Sequence, residues 1–194
     1  MVAIFVGIDK ADQAYIFATV NLEQTKVRKS LAFDLFELAQ TRSPYKTCHN
    51  VAVALDRNES SPFFRRIKRL GTATPGRDSE TITQSTFVEQ LVRYISRDPK
   101  GDRDILLRGG SLELIDSDAS RHLCLRNLFI KGEDLIIARL IQSYFDAVRE
   151  RWPVAWDEFG QGSMLNKTNG FSSLLKNSEL SFVGERSESA RPCA

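Results

Sequence analysis

The residues of this sequence whose types and spacing suggest chemistry fall into two short clusters of cations. In the first, Lys26, Arg28 and Lys29 open an amphipathic segment. A helix N-terminus favours anions by about 0.3–1 kcal/mol per well-placed charge, and here cations stand at that end instead. Free N–H groups together with cations make an anion site, and phosphate is the obvious anion. The alternative is that these long side chains simply point into solvent.

The second cluster is the densest run of positive charge in the chain, four cations in five positions. The pattern predicts a helix over residues 63–70, with Ser61 as N-cap and Pro62 at the first helical position. Its functional interpretation is a helix face that contacts phosphates. The alternative is a solvated helix face whose cations suit the C-terminal end of the dipole, although like charges at this density repel unless an anion relieves them. The cations are Arg65, Arg66, Lys68 and Arg69.

Two amphipathic segments and a polar joint would position the first cluster. The first segment is predicted as a helix that begins after Asp9, a good N-cap, and ends near Asn21. The joint covers residues 22–25, and the second helix then begins with the three cations. Its inward apolar residues recur at helical spacing. They are Val27, Leu31, Leu35 and Leu38.

The rest of the chain predicts an α+β fold that is mostly helical, with one to three short strands and six to eight helices. A buried strand is expected from Val2 to Ile8 and a brief one at residues 81–83. Helices are expected at residues 48–55, 86–96, 132–152 and 170–176, and a polar turn at 98–104. The longest helix should bury Ile137, Ile141, Tyr144, Val148 and Trp152. We divide the chain into residues 1–97, a helical region 98–177, and a tail 178–194 expected to be disordered.

Composition limits the functions that the chain can have. Its 194 residues are 42% hydrophobic and 27% charged, with a net charge of only +2, so any nucleic-acid-binding surface must be local. No apolar run reaches the 18 residues of a membrane span and the start is not a secretory signal, so a cytoplasmic location is expected. The three cysteines and two histidines follow no metal-binding spacing. We predict no metal, no cofactor and no catalytic set.

Five sequence blocks, taken in order, resemble the DGQHR-domain family. They are IFATVN..Q..V.KSL..DLF, VAVAL followed by SSPFFRRIKRLG, TITQSTFVEQL, IQSYFDAVRERWPVAWDE and MLNKTNGFSSLL. Together they span most of residues 1–177. The family is similar to the ParB/sulfiredoxin-like class and includes regulators of DNA sulfur modification.

The sequence departs from this family at the motif that names it. An Asp-Gly-Gln-His-Arg motif is expected shortly before Val2, and the sequence contains none. The chain therefore resembles the C-terminal part of such a protein, as a truncated gene, an internal start or one half of a split pair would give. Asn21 and Gln24 match the polar pair of the family's I-N-x-x-Q element. Asn21 is equally explained as a residue that caps the turn between two helices.

The resemblance implies a DNA-associated protein of DNA modification, restriction or its regulation, in the setting of phage defence. The seven cations named above would hold DNA phosphates, with weak and strongly salt-sensitive binding. One alternative is a ParB-like nucleotide hydrolase or DNA nuclease that needs the missing segment. Another is an inert structural fragment. In that case the edge from Val2 to Ile8 would pair with an N-terminal half or with a second copy.

Overall fold

Eight helices and two short parallel strands make up the regular structure of the described residues, which confirms the prediction of an α+β, mostly helical fold. The computed structural model describes residues 6–23, 41–70, 72–116, 122–160 and 162–177. The helices are α1 (Lys10–Glu23), α2 (Pro44–Arg57), α3 (Gln84–Leu91), α4 (Pro99–Leu107), α5 (Arg126–Lys131), α6 (Asp134–Arg151), α7 (Pro153–Asp157) and α8 (Thr168–Lys176). The strands are β1 (Ile67–Lys68) and β2 (Ile82–Thr83), and a short 3-10 helix, Val92–Tyr94, follows α3.

Side-chain caps set the starts of several helices. Asp9 accepts a hydrogen bond from the backbone N–H of Asp12 at 2.8 Å, which confirms it as the N-cap of α1. Asp98 accepts from the N–H of Gly101 at 3.0 Å and begins α4, with Pro99 in the first helical turn. The polar turn predicted at residues 98–104 was therefore wrong, because Pro and Gly stand inside a capped first turn. Helix α1 also continues to Glu23, into the predicted joint.

The helix predicted at residues 63–70 was also wrong. Residues 62–66 form turns, and Ile67 begins β1, which pairs in parallel with β2 so that Ile67 lies opposite Ile82. Tertiary contacts override the local helical pattern here, because the N–H of Ile67 donates to the carboxylate of Asp56 at 3.0 Å. The brief strand predicted at residues 81–83 is confirmed as β2.

The predicted N-terminal strand lies mostly outside the described residues. Residues 6–8 are irregular, and Val6 is 87% exposed, so this part of the prediction was wrong. The second amphipathic segment, residues 27–38, and the tail, residues 178–194, lie outside the described ranges. None of the described helices is both long enough and apolar enough to cross a membrane.

The core is built around the ring of Phe63, which is fully buried. Four other aromatic rings meet it edge-on, with centroids 4.8–5.8 Å away. They belong to Phe87 of α3, Phe145 of α6, Trp156 of α7 and Phe171 of α8. Because these helices share one ring as a packing partner, the core joins residues from both sides of the boundary predicted at residues 97–98, which stays a prediction.

The buried face of α6 differs from its prediction at two positions. Ile137, Ile141 and Val148 are buried as predicted, but the fourth inward residue is Phe145. Tyr144 is only half-buried, and its hydroxyl donates to the carbonyl of Leu174 at 2.9 Å. Trp152 follows the end of the helix and is 47% exposed.

A buried ion pair ties α4 to α5. Arg126 donates two hydrogen bonds to the carboxylate of Asp102, at 2.7 and 3.1 Å, and the hydroxyl of Ser96 donates a third. Burial of Asp102 raises the pKa of its carboxyl, but the hydrogen bonds from Arg126 and Ser96 and the charge of Arg126 outweigh burial. The net pKa of Asp102 therefore lies below its usual value.

The stability contributed by Asp102 should depend on pH in one direction. A lowered pKa in the folded state gives stability that is fully present above the unfolded pKa of about 3.9 and is lost as the pH falls through the folded pKa. We expect Asp102→Asn to be less stable than the wild type at pH 7, and this difference to shrink below about pH 4. Urea unfolding from pH 7 to pH 3 measures the difference. Asp116→Asn, at an exposed carboxylate, is the control and should show a flat difference; a flat difference for Asp102→Asn as well would contradict the prediction.

Candidate phosphate-binding surface

The structure places only part of the predicted site. Asn21 lies within α1. Four further predicted residues lie outside the described ranges, so their predicted roles stay predictions. They are Gln24, Lys26, Arg28 and Lys29.

The second cluster of cations is described in full, and its members face different surroundings. Arg65 is exposed, Arg66 is buried, and Lys68 and Arg69 are half-buried. Because the segment is a turn followed by a strand, the four side chains do not share one helix face. Each residue must therefore be considered separately.

Arg66 is part of the core packing. Its guanidinium donates to the carbonyl of Trp156 and to the carboxylate of Asp157, both at 2.7 Å. It also lies 5.0 Å from the ring centroid of Phe159. Burial lowers the pKa of Arg66, and the hydrogen bond and charge of Asp157 oppose that shift. These contacts hold Arg66 between β1 and α7, away from a ligand in solvent.

Arg65 has a backbone conformation that is rare for a residue with a side chain. Its φ is 56°, in the left-handed region. Two hydrogen bonds hold it there: its N–H donates to the carbonyl of Asp56 at 3.0 Å, and its carbonyl accepts from the hydroxyl of Ser79 at 2.9 Å. Its guanidinium reaches the carbonyl of Gly76 at 3.3 Å. The turn thus presents an exposed cation in a defined position.

Beneath this turn, one arginine joins two buried carboxylates. Arg77 donates to Asp56 at 2.8 Å and to Glu80 at 3.4 Å. The carboxylate side chains are 1% and 0% exposed, respectively. The hydrogen bond to Asp56, the largest cause, raises the pKa of Arg77. The cluster fixes the segment between β1 and β2 to the end of α2, so it supports the turn at Arg65.

Lys68 lies beside the N-terminus of α3. Its register partner in the parallel sheet is Thr83, and paired residues share one face of a sheet. Ile67 and Ile82 are fully buried on the opposite face, so Lys68 and Thr83 lie toward solvent. Lys68 has no carboxylate partner among the residues that the structure describes. A cation is therefore available next to a helix N-terminus.

Three hydroxyl groups crowd the same helix N-terminus. The Thr83 hydroxyl accepts from the N–H of Thr86 at 3.3 Å and caps α3. It also lies 3.2 Å from the hydroxyl of Ser85 and 2.8 Å from that of Thr86. Hydroxyls, cations and helix N-termini are the groups that contact phosphate oxygens in protein–DNA interfaces. The sequence prediction missed these three residues, although a hydroxyl-rich run at the start of a helix was a usable signal.

We name Arg65, Lys68, Thr83, Ser85 and Thr86 the phosphate surface; the last four lie at the N-terminus of α3, and Arg65 precedes β1 by two residues. It carries positive charge and neutral hydroxyls but no nucleophile with a base. Burial raises the pKa of the Cys48 thiol well above its usual value and that of Cys124 to about 11, so neither is a thiolate at neutral pH. Among the described residues, no three His, Cys, Asp or Glu side chains lie close enough together to hold a metal ion.

No family model, no curated protein and no solved structure matches this chain. The resemblance to the DGQHR-domain family therefore stays a prediction. The proposal below therefore takes its DGQHR-type role from that resemblance and its phosphate contacts from the geometry described above.

Proposed function

We propose that this chain is a DNA-associated protein of the DGQHR type, acting in DNA modification, restriction or its regulation, and that it binds DNA phosphates through the phosphate surface. The observation that carries the proposal is the register of β1 and β2, which places Lys68 beside the capping residue Thr83. One phosphate at this position would meet a cation, hydroxyl donors and the positive end of α3.

The proposal uses the predicted cations selectively. Arg65 and Lys68 are available to an anion, whereas Arg66 is held by Asp157 and the Trp156 carbonyl. With two phosphate contacts on this surface, binding should be weak, independent of DNA sequence and steeply dependent on salt. The phosphate surface reads no base, so it supplies affinity and position rather than specificity.

The salt dependence of DNA binding tests the proposal. Each phosphate contact contributes about −0.9 to the slope of log affinity against log salt, so Lys68→Ala and Arg65→Gly should each make the slope shallower by about one. Glycine is chosen at Arg65 because it accepts the φ of 56° without strain. Fluorescence anisotropy of the full chain with a labelled duplex, from 20 to about 200 mM salt, gives the slopes.

Two controls sharpen the test. Lys131→Ala removes an exposed lysine at the end of α5 that is not part of the phosphate surface, and it should leave the slope unchanged. Thr86→Val removes a neutral hydroxyl of the same shape, so it should lower the affinity without changing the slope. Equal slopes for Lys68→Ala and Lys131→Ala, or no binding at 20 mM salt, would reject the proposal.

A further inference from the structure

Two clefts meet at Trp152, outside the phosphate surface. The first, of about 480 Å³, lies between α6 and α8. The second, of about 470 Å³, lies beside α7 and the loop that follows it. Trp152 lines both clefts, and it is 47% exposed. The indole therefore separates two neighbouring depressions and is accessible from both.

The walls of the first cleft are the facing sides of two helices. Tyr144, Ala147 and Val148 line it from α6, and Gly170, Ser173 and Leu174 line it from α8, in each case at i, i+3, i+4 spacing. The Tyr144 hydroxyl donates to the carbonyl of Leu174 at 2.9 Å and fixes the separation of the helices. The cleft is therefore preformed and largely apolar, which suits an apolar side chain of a binding partner.

A cation lies beside Trp152, which lines the first cleft. Arg151 follows Ala147 and Val148 by four and three residues, so it lies on the helix face that lines the cleft. Its guanidinium carbon is 5.6 Å from the ring centroid of Trp152, a position that holds it against the indole. Arg151 forms no ion pair with a described residue, whereas Arg149 pairs with Asp157 at 3.1 Å.

We propose that this surface binds a peptide segment of another protein that carries an apolar side chain beside a carboxylate. The apolar side chain fills the first cleft against Val148 and Trp152, and the carboxylate pairs with Arg151. Arg151 favours a carboxylate beside the first cleft, whereas Glu158 lines the second cleft, so the acidic residue of the segment lies on the side of the first. The existing stack of Arg151 on Trp152 lowers the cost of ordering the arginine. This interaction is separate from DNA binding and uses no residue of the phosphate surface.

The two tryptophans make the test specific. Trp156 is fully buried and its indole N–H donates to the carbonyl of Pro62 at 3.3 Å, while Trp152 is exposed. Two indole N–H signals in a ¹⁵N-resolved NMR spectrum of the full chain therefore report separately on surface and core.

The probes are nine-residue peptides with a central Phe or Leu flanked by Glu, and counterparts flanked by Lys. We expect the Glu peptides to shift the Trp152 signal, to leave that of Trp156 in place, and to bind at least tenfold more tightly than the Lys peptides.

Variants of the cleft distinguish its occupants. Arg151→Glu should reverse the preference between the two peptide sets, and Glu150→Arg, one position away on a different face of α6, should not. Equal binding of both peptide sets, or no shift of the Trp152 signal at 1 mM peptide, would overturn the proposal. A Trp152 signal that moves with protein concentration alone would assign the surface to a second copy instead. A signal moved by Phe182→Asp without peptide would assign it to the chain's own tail. Either result rejects a partner protein.

Discussion

Phe63→Ala should destabilise the protein by about 3–5 kcal/mol, a large part of the 5–15 kcal/mol that holds a typical domain folded. The ring is fully buried and contacts four other aromatic rings from four different helices. Alanine would leave a cavity that no single element closes, because each neighbouring ring is held by its own helix. Urea unfolding followed by far-UV circular dichroism gives the free energy.

Phe64→Ala is the matched control for this prediction. Phe64 is the adjacent residue and of the same type, but it is only half-buried and makes no edge-on contact with these four rings. We expect its replacement to cost about 1 kcal/mol, near the average for a point mutation. Similar losses for the two variants would show that the core does not depend on Phe63. Phe63→Leu, which fills part of the cavity, should fall between them.

Arg77→Met should destabilise the protein by about 3–5 kcal/mol, because it removes the cation from two buried carboxylates. Asp56 and Glu80 are almost completely inaccessible, and without the guanidinium they keep, among the described residues, only the backbone N–H groups of Ile67 and Thr74 as donors. Methionine keeps much of the side-chain volume, so the loss reports on charge more than on packing. The free energy of unfolding at pH 7 is the measurement.

Neutralising the carboxylates separates charge from packing. A triple variant that combines Arg77→Met with Asp56→Asn and Glu80→Gln should regain part of the lost stability, since no unpaired charge is left buried. Arg93→Met, at an exposed arginine of the 3-10 helix, is the control and should change stability by less than about 0.5 kcal/mol. No recovery in the triple variant would mean that the shape of Arg77 matters more than its charge.

The parts of the fold that could be predicted from sequence are those set by local chemistry. Periodic apolar residues located α6, Asp9 located the start of α1, and residues 81–83 were recognised as a strand. The segment at residues 63–70 was not, because its apolar residues have helical spacing while its structure is set by distant partners. The carboxylate of Asp56 and the backbone of β2 hold Ile67 and Lys68 as a strand, and neither partner can be recognised from the local sequence.

The candidate site, like the fold, could be predicted from the sequence only in part. The positive charge of Arg65 and Lys68 could be recognised in the sequence. That Arg66 is buried while these two are not could not be predicted, because Arg66 is held by an acidic partner 91 residues further along the chain. The hydroxyls of Thr83, Ser85 and Thr86 became relevant only once the sheet register placed them beside Lys68. The cleft at Trp152 could not be predicted, because the helical spacing of Trp152 with the inward residues of α6 predicted a buried side chain.

The aromatic centre of this protein can be completed only late in synthesis. The ring of Phe63 leaves the ribosome early, but its partner Phe171 lies more than a hundred residues later. At about 5–20 residues per second, that partner is made about 5 to 20 s after Phe63. During this interval the ring has no complete set of neighbours to cover it. The nascent chain therefore carries an incompletely covered aromatic surface until α8 has been made.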